Sequence, residues 1–213
     1  MLRAALAASV IFCSGLPAAA SDSRQPGDFD FYVLALSWSP SFCMEEGEAN
    51  YQQCGTKRSY GFIVHGLWPQ YERGYPRECY TFQRRVPDSM VDQLRDIMPS
   101  AGLVGHQWRM HGSCSGMSQH DYFHTVRMAW QKIEIPTELQ RLEPHQTISA
   151  GAVEDAFVDA NPGMKEDGVS VSCSKKLLRE VRICMSRDLE FRSCAELERK
   201  ACKADKLRMP MPR

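Results

Sequence analysis

Two short segments hold half of this chain's six histidines. The first is Phe62-Ile63-Val64-His65-Gly66-Leu67-Trp68-Pro69, and the second is His106-Gln107-Trp108-Arg109-Met110-His111-Gly112-Ser113-Cys114. Histidine has an ordinary pKa of ~6.5, so it can give or take a proton near neutral pH. Imidazoles gathered around one cavity therefore suit general acid–base chemistry, one donating while another accepts. Metal binding is the competing chemistry. A spacing of i, i+5 between His106 and His111 suits a single ion less well than i, i+4, and no nearby Asp or Glu completes a ligand set. The expectation is a site that needs neither metal nor cofactor. On a helix, positions 106, 107, 110 and 111 share one face, so His106 and His111 can converge on one pocket while His65 approaches from a strand end. Trp108 then points elsewhere, into the core.

These residues need a frame. The run Phe29 to Trp38 is rich in aromatic and branched side chains and predicts a buried strand, ended by Ser39-Pro40. Cys43 to Ser59 is polar with Gly47 and Gly55, which predicts a loop. A second strand is expected over Tyr60–His65, stopped by Gly66 and Pro69, leaving His65 at a strand end. Ser89 predicts the cap of a helix reaching Met98, and a short helix is expected over His106–His111. Ser118 with Asp121 makes a capping-box pattern before Tyr122, Phe123, Val126, Trp130 and Ile133. A further helix is expected over Ser149–Ala160, stopped by Asn161-Pro162-Gly163. Val169–Cys173 and Leu178–Cys184 read as late strands. Helices and strands intersperse without regular βαβ alternation, so the expected class is α+β: a mainly antiparallel central sheet flanked by helices.

The chain opens with Met1-Leu2-Arg3, an apolar run to Leu16 and then Pro17-Ala18-Ala19-Ala20. That is the pattern of a secretory signal peptide over residues 1–20, too short in its apolar part for a retained membrane anchor. Residues 21–213 are then one domain. Basic and acidic side chains balance at 26 each over the whole chain, and loss of Arg3 with the leader leaves a net charge of −1. Tight binding along a polyanion needs a basic surface. Here only Arg84-Arg85, Lys175-Lys176 and the tail around Lys203, Lys206 and Arg208 offer clusters, each read as scattered solvated charge. Without Cys13, eight cysteines remain, an even number behind a leader, which reads as a disulfide framework made in an oxidising compartment. No C-x-x-C pair occurs, and sequence alone does not fix the connectivity.

The two histidine segments resemble the paired active-site signatures of the ribonuclease T2 family of transferase-type acid ribonucleases. The first signature, close to F-x-x-H-G-L-W-P, is matched at every fixed position. The second, close to H-E-W-x-K-H-G-T-C, is matched at His106, Trp108, His111, Gly112 and Cys114. The resemblance extends to the aromatic opening strand, to Asp121-Tyr122-Phe123 and to the late cysteine cluster. It implies RNA as the substrate, attack by the RNA's own 2′-hydroxyl, a 2′,3′-cyclic phosphate and then a 3′-phosphate. His111 would be the base, His65 the acid, and His106 a phosphate contact. Trp68 would stack on a base or position His65, with Gln70 and Tyr75 candidates for the substrate pocket. It also implies disulfides Cys79–Cys114, Cys173–Cys202 and Cys184–Cys194, together with Cys43–Cys54, and a secreted or periplasmic monomer. Two departures stand out: the family's Glu is Gln107 here, and its Lys is Met110. Losing one preorganised donor costs ~10²–10³ in rate. A weakened relative acting as an RNA-binding or signalling protein is the competing function.

Overall fold

The computed structural model describes residues 25–56, 58–141, 143 and 146–212; the leader and Cys13 lie outside that range. In chain order come β1 (Phe31–Trp38), α1 (Ser39–Glu46), α2 (Tyr51–Cys54), β2 (Phe62–Gln70), α3 (Asp88–Asp92), α4 (Ala101–Met110) and α5 (Gln119–Gln131). They are followed by α6 (Thr137–Gln140), β3 (Thr147–Ile148), α7 (Ala150–Ala160), β4 (Val169–Ser174), β5 (Leu177–Met185), α8 (Ala195–Arg199) and β6 (Leu207–Arg208).

β1 is buried along its whole length, which is why its sequence is a continuous apolar run and not an alternation. It pairs antiparallel with β2 on one side and β5 on the other, and β4 pairs antiparallel with β5. A single parallel pairing, Leu177 with Arg208, attaches the short β6, to which β3 is added. The class is α+β as expected, and the sheet is mixed. One face of β1 sends Tyr32, Leu34, Leu36 and Trp38 into the main core. There they meet Val64 and Leu67 of β2, Val104 and Trp108 of α4, Tyr122 and Val126 of α5, and Phe157 of α7. The other face, carrying Phe31 and Val33, packs on Cys184 and Cys194, with Trp68 and Leu197 against them. Each such large apolar side chain contributes about 1.5–3 kcal/mol on burial.

The cap expected at Ser118 is formed; the one expected at Ser89 is not, because α3 starts at Asp88 behind Pro87 and Ser89 lies inside its first turn. Ser100, Ser118 and Ser149 accept hydrogen bonds from the backbone of Leu103, Asp121 and Ala152 at the starts of α4, α5 and α7. Four boundaries differ from the sequence expectation. Residues 43–59 are not a loop throughout: α1 covers Cys43, and α2 ends at Cys54. Pro40 lies in the first turn of α1, where its missing N–H costs nothing, so the residue that ends a strand also begins a helix. The helix expected to reach Met98 stops at Asp92. The chain then turns so that Ile97 presents its carbonyl to the Val64 N–H at 2.8 Å, covering the open edge of β2. The helix expected over 106–111 is longer, and His111 is its C-cap residue. Finally, β2 runs through Gly66 and Pro69 to Gln70. Proline is tolerated there because β2 is an edge strand, whose outward backbone groups need no ladder partner.

The disulfides are Cys43–Cys54, Cys79–Cys114, Cys173–Cys202 and Cys184–Cys194. Among the described residues, no helix is long and apolar enough to cross a membrane.

Candidate active site

His65 lies inside β2, not at its end. Against β1, Gly66 is opposite Ala35 while Val64 is opposite Leu36, so His65 is the extra residue of a β-bulge. A bulge re-aims side chains that strict alternation would separate. Val64 and Leu67 go to the main core, whereas His65, Trp68 and Gln70 turn to the opposite face. In a regular strand His65 and Trp68, three residues apart, would face opposite ways.

The helix contributes the second half. Trp108 is buried in the core. On the neighbouring face Gln107 is 1% exposed and its Oε1 accepts a 2.8 Å hydrogen bond from the Trp68 indole Nε1. An indole N–H can only donate, so Gln107 must present its oxygen there and carry its amide NH₂ on the other side. This bond passes directly over Gly66: a Cβ on that residue would lie 2.2 Å from Gln107 Oε1 and 2.4 Å from Trp68 Nε1. Gly112 has a matching reason, since a Cβ there would strike the rings of Trp108 and Tyr122 at 2.6 and 2.7 Å. The glycine after each histidine is therefore a requirement of close packing.

Trp68 stands between the two histidines. Its ring centroid is 5.4 Å from that of His65, edge-on, and 5.3 Å from that of His111 at 32°. The Arg182 guanidinium lies 5.4 Å from the same ring. Each histidine opens on its own cavity. One, of about 280 Å³, is lined by His111, Trp68, Gln70, Tyr75 and Arg182 among others. The other, of about 290 Å³, is lined by His65, His106, Ile63, Ser37 and Glu180 among others. Trp68, Gln70 and Tyr75 are thus gathered beside His111. His106 lies beside His65 and not, as helical spacing led one to expect, in one pocket with His111, because Trp68 stands between the two cavities. Met110 sits half-buried one turn along α4 from His106, carrying no charge and no donor.

The electrostatic surroundings of the two imidazoles are opposite. His65 Nδ1 is 2.5 Å from Glu180 Oε1, and Glu180 is buried. Burial alone would raise the Glu180 pKa, but the His65 hydrogen bond and charge, together with Arg182, outweigh it and bring it down to about 2. An ionised carboxylate only accepts, so His65 donates from Nδ1 and its Nε2 is left for chemistry. Arg182 grips the other carboxylate oxygen through Nε and a terminal nitrogen at 2.9 and 2.7 Å. Among the described residues His111 makes no ion pair with a carboxylate, and its Nδ1 is buried without a hydrogen-bond partner. Burial first, then the nearby His65 and His106, push its pKa down to about 3. His106 is lowered as well, by partial burial and then by Arg109 and His65, with Glu78 acting the other way. Among the described residues, no group of three or more His, Cys, Asp or Glu is arranged to hold a metal ion.

Glu180 and Arg182 were not among the residues singled out from sequence. The signal was there: of the three charged residues of β5, Glu180 and Arg182 stand opposite Ser37 and Ala35, the two small residues of β1. Small side chains on a bulky strand leave the room that a charged network fills.

A family model described as the Ribonuclease T2 family matches residues 29–194. The chain belongs to the Ribonuclease T2 family. A ribonuclease of Aeromonas hydrophila is 38% identical over 168 residues, covering 77% of this chain and 75% of that protein. Among solved structures, an RNase-related protein from Calystegia sepium aligns with a TM-score of 0.70 at 22% identity, covering 87% of this chain and 98% of that one. RNase NT, solved in complex with 5′-AMP, aligns at 0.68 with 20% identity, covering 86% and 98%. The T2 fold accounts for the sheet and the helices packed on it.

The packing over Gly66 makes a direct prediction. Gly66→Ala should push Trp68 and Gln107 apart and lower stability by about 1–3 kcal/mol, measured by urea unfolding. An alanine variant as stable as the parent would show that the Trp68–Gln107 bond does not depend on that approach.

Proposed function

We propose that this T2-family chain is an endoribonuclease that cuts single-stranded RNA by transphosphorylation, with His111 as base and His65 as acid. The observation that carries this reading is the opposite surroundings of the two imidazoles on either side of Trp68. A site whose surroundings treat two titratable groups differently divides acid from base work between them. His111, with its pKa near 3, is neutral over the mildly acid and neutral range, as a base must be. His65, held by the ionised Glu180, is oriented with Nε2 outward.

In the first step His111 takes the proton of the RNA's 2′-hydroxyl, whose oxygen attacks the adjacent phosphorus. The bond to the 5′ oxygen breaks, and His65 gives that oxygen its proton. The product is a 2′,3′-cyclic phosphate. In the second step the roles reverse: His65 takes a proton from water, water opens the ring, and His111 returns a proton to the 2′ oxygen. His106 and the Gln107 amide stabilise the phosphate oxygens. Trp68 holds the two imidazoles apart, and the cavity with Gln70 and Tyr75 receives the nucleoside carrying the 2′-hydroxyl. The leader over residues 1–20 and the four disulfides support action in the periplasm or outside the cell. The second reading, a weakened member acting by binding RNA or by signalling, rests chiefly on Met110, with Gln107 the lesser departure.

An assay of the mature protein on RNA in EDTA separates these readings. Cyclic-phosphate product that persists in EDTA and disappears in His65→Ala is expected; His65→Ala cutting as fast as the parent would sink the mechanism. In the same assay Met110→Lys should raise the rate by restoring a cation beside the developing charge, and an unchanged rate would remove the argument for a missing cation.

Glu180→Gln should lower kcat/KM, because it removes the carboxylate that accepts from His65 Nδ1 and so turns Nε2 outward. The acid limb of the pH profile, set by His111, should stay in place. A kcat/KM equal to the parent's would mean that Glu180 has no part in positioning His65.

A further inference from the structure

The segment from Arg77 to Val86 joins the two halves of the site, and its outer side carries two large exposed aromatic side chains. Its backbone is pinned from within. Cys79 is bonded to Cys114, the Gln83 carbonyl accepts from Trp108 Nε1, the Gln83 and Arg85 carbonyls accept from Gln119 Nε2 at 2.9 and 3.0 Å, and Val86 is buried. A segment held this firmly would be expected to hide its large apolar side chains. Instead Tyr80 is 69% exposed and Phe82 is 90% exposed, their rings set edge to face at 4.9 Å.

Beside them, Arg84 and Arg85 converge with Arg109 of α4 on a cavity of about 350 Å³, whose lining also includes Gly105, Asp88 and Val91. Arg85 is paired with Asp88 at 3.1 Å in a fully exposed contact of the kind that contributes little. Neither Arg84 nor Arg109 has an acidic partner among the described residues. The lining residue Gly105 immediately precedes His106 in α4, so this cationic cavity lies next along the helix from the cavity that holds His106 and His65.

We infer that this face is an extended subsite for single-stranded RNA, taking up a length of strand beyond the nucleotides held at the histidines. The inference rests on the ribonuclease reading above. Exposed aromatic rings next to unpaired arginines are what a sequence-tolerant single-strand site requires: rings for bases to stack on, guanidinium groups for phosphates. The rigid backbone holds these groups ready, so binding would not pay to order the segment. With acidic and basic side chains balanced over the chain, affinity for a polyanion must come from such a local patch. The arginine pair that sequence alone suggested was scattered charge thus gains a third arginine and two aromatic neighbours.

The test compares the parent with Arg84→Gln/Arg85→Gln and with Phe82→Ala. The substrates are a dinucleoside monophosphate and a single-stranded RNA of about 12 nucleotides. Binding of the same oligomer in non-cleavable 2′-O-methyl form is followed by fluorescence anisotropy across a range of salt. The parent should cut the longer RNA with the higher kcat/KM. The double variant should bind the oligomer about tenfold more weakly, and its salt dependence should flatten by about 1.4 in log–log slope, two phosphate contacts' worth. Phe82→Ala should weaken binding about fivefold or more with the slope unchanged. Dinucleotide cleavage should be intact in both, which also reports that they fold. Oligomer binding equal to the parent's in both variants would overturn the subsite, as would equal loss on short and long substrates. A parent that binds the oligomer through the patch yet cuts neither substrate would instead overturn the ribonuclease reading.

Discussion

The hydrogen bond from the Trp68 indole to Gln107 ties the strand segment to the helix segment, and the rest of the site is arranged around it. Trp68 donates from an edge strand and Gln107 accepts from a helix, 39 residues away in sequence. Gln107 is buried and Trp68 half-buried, so leaving the Gln107 oxygen unpaired would cost about 1–3 kcal/mol. The bond fixes the indole plane, and that plane lies between the rings of His65 and His111. Two other devices serve the same end. The bulge at His65 brings His65 and Trp68 to one face, and Gly66 lets the bond pass over the strand. Tyr122 holds the strand from the core side by donating from its hydroxyl to the Leu67 carbonyl at 2.8 Å.

With that geometry in place, electrostatics distinguishes two chemically identical side chains. Glu180 is a buried carboxylate on the central sheet, paired with the half-buried Arg182, and a buried charge is costly unless it is satisfied. Here the carboxylate is satisfied on both sides, by Arg182 on one oxygen and by His65 on the other. His111 receives no such partner and is left in surroundings that favour its neutral form. Gln107 and Met110 mark where this chain departs from the family pattern. The amide at 107 still accepts from Trp68 as a carboxylate would, so the scaffold role survives the change. Met110 carries neither charge nor donor, so any loss of rate belongs with the charge that develops on the phosphate.

Much of this was legible in the residues. The apolar run of β1, the serine caps of α5 and α7, and the burial of Trp108 with Gln107 on the neighbouring face follow from local pattern and helical spacing. The bulge did not, because it exists only in the register of β2 against β1. That register also explains why β2 continues past Gly66 and Pro69, which read locally as stops. Glu180 was missed for a related reason. Its partner is 115 residues away, and only the pairing of β5 with β1 brings it beneath His65. The exposed rings of Tyr80 and Phe82 were equally hidden, since sequence cannot tell which side of a disulfide-anchored segment faces solvent.

The central claim is that the surroundings, not the residue type, divide the work between the two histidines. A pH titration of the histidine side-chain nitrogens by NMR, with His65→Ala and His111→Ala to assign the signals, tests it without relying on turnover. His111 should remain neutral until the pH approaches about 3, and His65 should show a proton on Nδ1 in its bond to Glu180. A His111 that titrates near the ordinary ~6.5 would contradict the account.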